Sequence, residues 1–122
     1  MSKPAGPTHF EIPCGTRWEV TLTWWLDSTK TTAKNLTSYT ARMDIRRSIG
    51  DADSDRIASL TSAGGDITLG GTAGTIAIVY DDSATGAVTP GLAVFDIELT
   101  DPSSNVVRLL YGTVEFTEQV TR

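Results

Sequence analysis

The sequence is short of the residues on which most chemistry depends. A single cysteine, Cys14, rules out an internal disulfide framework and any cysteine-based zinc cage. Such a chain suits a reducing cytoplasm, or simply has no need of covalent staples. One histidine, His9, cannot supply a multi-histidine metal site, and its sequence neighbours suggest no catalytic triad. No apolar run approaches the roughly 20 residues of a membrane-spanning helix, so no membrane partner is expected. Ten Lys and Arg stand against fifteen Asp and Glu, for a net charge of −5. The densest basic group, Arg42, Arg46 and Arg47, is too sparse for a nucleic-acid footprint. The opening MSKPAGP lacks the apolar stretch of a secretory leader. It is read as a flexible arm over residues 1–8, ahead of a single domain over residues 9–122.

What is abundant is alternation. Trp18, Val20, Leu22, Trp24 and Leu26 share one face of an extended segment, opposite Arg17, Glu19, Thr21, Thr23 and Trp25. Ala41, Met43 and Ile45 alternate with Arg42, Asp44 and Arg46. Ala93, Phe95, Ile97 and Leu99 alternate with Val94, Asp96, Glu98 and Thr100. A period of two marks strands that are dry on one side and wet on the other. Gly- and Pro-bearing turns punctuate these runs, and the DPSSN stretch at residues 101–105 reads as a hairpin. Expected fold class: all-β, a mainly antiparallel sandwich of about seven to eight strands. One short helical turn is expected over Asp81 to Ala87, where Asp precedes small residues. Gly112 falls where the last run changes phase, which predicts a bulge or a close backbone approach. The apolar residues just before it predict a strand covered on both sides.

Candidate sites are few, and no catalytic residue or cofactor is expected. Cys14 is expected to be a small buried hydrophobe. Asp51, Asp53 and Asp55 open like a calcium loop, but Arg56 replaces the required glycine and Ser62 the bidentate glutamate. That leaves a solvated acidic turn, with a weak Ca²⁺ site as the lesser alternative. Asp96 and Glu98 point the same way from one strand, about 7 Å apart; any solvent-facing strand has such pairs. Trp18 and Trp24 are assigned to the core. Trp25 shares its face with charged and hydroxyl side chains, so it is either half-covered by a loop of its own chain or a contact surface. The expected protein interface comprises Trp25, Arg17, Glu19, Asp51, Asp53 and Arg56.

Four passages together resemble a family of small bacteriophage virion proteins. They are Gly15 and Trp18 running into TLTW, then NLTSYTARMDIR (residues 35–46), LTSAGGDITLGGTAGTIAIV (60–79) and GLAVFDIELTDPSSNVVRLLYGTVEFTEQVTR (91–122). The pattern is similar to the N-terminal domain of siphophage baseplate upper proteins, over residues 9–122. Where that family opens on an acidic or glutamine-glycine turn, this chain has Pro13-Cys14-Gly15. The resemblance implies a non-enzymatic part of the virion, made in the host cytoplasm and assembled in multiple copies. Tail, neck or baseplate is the expected place, as an adaptor for other virion proteins. Capsid decoration is the alternative, and a carbohydrate-binding module a more distant one. The termini, residues 1–7 and 118–122, are expected to order only on assembly.

Overall fold

The computed structural model describes residues 8–118, the Asp53 side chain aside. Of the expected arm over residues 1–8, residues 1–7 lie outside the described residues and Thr8 is instead the first residue of a strand; the last four residues of the expected tail also lie outside the described residues. Eight strands are present among them: β1 (Thr8–Pro13), β2 (Trp18–Thr23), β3 (Thr40–Arg46), β4 (Ala58–Thr61), β5 (Ile67–Leu69), β6 (Thr75–Tyr80), β7 (Gly91–Thr100) and β8 (Val106–Thr117). They form a five-stranded sheet in the order β1-β8-β7-β3-β4 and a three-stranded sheet in the order β2-β6-β5. All neighbours are antiparallel except β1 and β8, which run parallel. The expected all-β sandwich is therefore the observed fold.

The period-two pattern decides which residues face inward. Ile12, Met43, Ile45, Ile97, Leu99, Val114 and Phe116 of the larger sheet meet Ile67, Ile76, Ile78 and Tyr80 of the smaller one, all essentially without exposed surface. Full burial of one such side chain contributes about 1.5–3 kcal/mol, so this layer is the main stabilising element. Trp24, 2 % exposed, belongs to it as expected. Trp18 packs against that core but is only half-buried, edge-on to Phe10 with ring centroids 5.1 Å apart. The reason is topological, since β2 is an edge strand and Trp18 is its first residue.

The last strand corrects the expectation of two-sided cover. Val106 is 59 % exposed and Arg108 is exposed, whereas Leu109 and Leu110 are both buried. A register shift explains this: Ile97 pairs with Leu110 and Glu98 with Arg108, leaving Leu109 as the extra residue of a β-bulge. The bulge thus lies at Leu109, three positions before the glycine. Gly112 is the close approach instead, because a Cβ there would overlap the carbonyl oxygen of Thr8 on β1. A side chain at Gly112 would push the parallel strand off the sheet.

The helical turn is α1 (Asp82–Thr85), preceded by Asp81 in an extended conformation. Asp81 makes no side-chain cap; its carboxylate lies 3.9 Å from Arg17. Thr85 anchors the turn. Fully buried, its hydroxyl donates to the Thr16 carbonyl (2.7 Å) and accepts from the Gly15 N–H (3.1 Å). Cys14 is buried nearby, as expected, with its thiol 3.4 Å from the Val88 carbonyl.

Candidate functional site

The outer face of the five-stranded sheet carries a ladder of polar side chains whose rows follow from register. Asp44 is paired with Asp96, and Asp96 with Tyr111. Arg42 is paired with Glu98, and Glu98 with Arg108. Between these rows lies an open cavity of about 360 Å³, lined by Asp44, Arg46, Ile49, Asp96, Glu98 and Tyr111 among others. That volume lies at the lower end of the range for small-ligand sites.

Asp44 is the hub of the charged network. Arg42 grips both of its oxygens (2.9 and 3.1 Å), Arg46 donates at 3.2 Å, Ser59 at 2.8 Å, and Arg56 lies 3.6 Å away. Burial alone pushes this carboxyl up, but the Arg42 and Ser59 hydrogen bonds with the Arg42 and Arg56 charges outweigh it. The net effect holds Asp44 below the usual range. Asp96 behaves in the opposite way: burial and the neighbouring Asp44 charge raise it, despite Arg108, Arg46 and Arg42. One carboxylate is saturated with donors, and its cross-strand partner is left with the repulsion.

Large exposed hydrophobics are spread along this face. Ile49 is 88 % exposed at the cavity rim, while Leu92, Val106 and Tyr111 project from β7 and β8 on the same side. The Arg108 guanidinium lies over the Tyr111 ring at 4.4 Å from its centroid. Stacking of that kind stiffens both side chains and occupies the ring face on which a sugar would stack.

The six residues expected to form an interface are dispersed. Arg17 and Glu19 pair at 3.1 Å at the start of β2. Trp25 lies beyond the end of that strand, on the order of 20 Å along the chain at strand rise. It bridges to Ala33 and is half-buried, the cover by its own chain that was one of its two readings. Leu26 N–H donates to Thr32 and Lys34 N–H to Trp24, so the chain turns back at once. Asp27 organises that turn, its carboxylate held well below the ordinary range by the Thr31 hydroxyl, the Thr32 amide and the Thr29 hydroxyl. Arg56 does reach the Asp44 hub. Asp51 sits beside it, accepting from the Ser48 amide and hydroxyl while its carbonyl accepts from Arg46. Of the calcium-loop carboxylates, Asp51 is thus turned inward to its own turn. Asp53 lies in a 3-10 turn, Asp53–Asp55.

Asp44, Ile49, Arg108 and Tyr111 were not among the expected site residues. Alternation already placed Asp44 on a wet face. What it does not contain is the strand order that sets β3 beside β7, or the bulge that turns Tyr111 outward.

No protein-family model matches the chain, and no curated protein matches it. Among solved structures, extracellular domains 3–5 of Drosophila OTK are similar at 13 % identity with a TM-score of 0.40. The likeness covers 98 % of this chain, which spans 40 % of that one.

Proposed function

We propose that this chain is a non-enzymatic structural protein of a bacteriophage virion, assembled in several copies in the tail, neck or baseplate as an adaptor between other virion proteins. The reading rests on the resemblance of four passages to phage virion proteins. One observation of the fold supports it: Ile49, Leu92, Val106 and Tyr111 are all exposed on the sheet face that carries the ion-pair network of Arg42, Arg46 and Arg56 on Asp44. Apolar and aromatic groups set among arginines are the composition of protein interfaces rather than of ordinary surface. Asp44 there serves as the shared partner of three arginines, and a face pre-organised in this way suits docking.

The test is quantitative mass spectrometry of purified particles, combined with gold-labelled antibody against the chain. An integer copy number per particle with label at the tail is the expected result. Label over the head favours capsid decoration. Absence from the particle contradicts the proposal, and specific binding on a glycan array would favour a carbohydrate-binding module.

A further inference from the structure

On the β1–β8 pair, away from the Asp44 network, three potential metal ligands converge. His9 and Glu11 alternate on the exposed side of β1, and the parallel register sets Glu115 of β8 directly beside Glu11. One ligand atom from each lies within 4.8 Å of the other two. A tetrahedral zinc ion with bonds of about 2.0–2.1 Å holds its ligands about 3.4 Å apart, a gap that small rotations of exposed side chains close. We propose that His9, Glu11 and Glu115 form a binding site for a divalent transition-metal ion, with zinc preferred.

Two features distinguish this cluster from a solvated acidic patch. The first is the imidazole. Its Nδ1 is 2.7 Å from the Thr113 hydroxyl, and Thr113 is the cross-strand partner of His9. A bond to one ring nitrogen fixes the ring and leaves the opposite nitrogen for an ion, as an outer partner does in metal sites generally. The second is electrostatic. Like charges directly opposite on paired strands destabilise a sheet. Glu11 and Glu115 are direct register partners with the His9 imidazole close to both, and a divalent ion would offset their repulsion. Nitrogen ligation selects zinc, copper or nickel over calcium and magnesium, and zinc accepts mixed imidazole and carboxylate ligands. Three protein ligands leave a fourth position for water or for a group from another molecule. Because β1 is the outermost strand, that position is accessible.

The experiment uses the untagged full chain titrated with zinc chloride by calorimetry, and with cobalt(II) while the imidazole protons are followed by NMR. The chain has one histidine, so the imidazole signals are unambiguous. One zinc per chain is expected, with cobalt shifting or broadening those signals in the unaltered protein. His9→Ala and Glu115→Gln should weaken zinc by at least about tenfold, and Thr113→Val by about tenfold through loss of the orienting bond. No heat and an unperturbed imidazole at millimolar metal would overturn the site. Undiminished affinity after His9→Ala, or calcium bound as readily as zinc, would overturn it as well.

Discussion

Single side chains divide sharply in what they contribute. The Thr85 hydroxyl satisfies two backbone groups from the turn between β1 and β2, and its residue has no exposed surface. Thr85→Val keeps the shape and orphans those groups, so a loss of about 1–3 kcal/mol is expected from urea unfolding. Thr85→Ser should recover most of it; a neutral valine variant would show that the hydroxyl is incidental. The two adjacent tryptophans offer a second contrast. Trp24→Ala empties a core site and should cost about 3–5 kcal/mol, somewhat offset because its indole N–H has no partner among the described residues. Trp25→Ala should cost less than about 1.5 kcal/mol, since the ring is only half-buried. Equal losses at the two positions would place Trp25 in the core. Asp96 supplies a pH signature. Its carboxyl is raised above 3.8 in the fold, so the native state binds more protons than the unfolded chain and loses stability as pH rises through that window. Asp96→Asn should therefore have the higher melting temperature at pH 7, with the difference vanishing below pH 3.8. A less stable asparagine variant at neutral pH would mean that the Asp96 charge is favourably paired.

Among the elements, β3 and β7 were legible almost residue by residue, because strict alternation assigns one face to the core and the other to water. The hairpin at Asp101 was legible for a different reason. Its carboxylate accepts from the Ser103 and Asn105 amides, the local bonding for which Asp is favoured in turns. The start of β8 was not. Two neighbouring buried leucines look like a strand covered on both faces, yet a one-residue bulge produces the same string with one face wet. Only the partner strand distinguishes the two cases. The candidate site escaped for a related cause: Asp44 and Asp96 lie 52 positions apart, and nothing local to either reveals that they are cross-strand partners. Similarly, the pairing of Glu11 with Glu115 depends on a parallel contact between the first and last strands.

At the scale of the molecule, the two faces of the larger sheet do different work. The inner face, closed by the smaller sheet, supplies the stability. The outer face holds Arg42, Arg46 and Arg56 through Asp44 and leaves large apolar side chains in water. If that face is where the virion assembles, the combined variant Ile49→Asp with Tyr111→Ala should fold normally, because both side chains are exposed. The most direct measurement is the copy number of this variant relative to the unaltered chain in particles purified from complemented infections. The account predicts the unaltered chain at a fixed integer stoichiometry and the variant depleted by at least about tenfold, the loss expected from removing well-packed interface anchors. Equal incorporation of the two, or no chain in the particles at all, would contradict it.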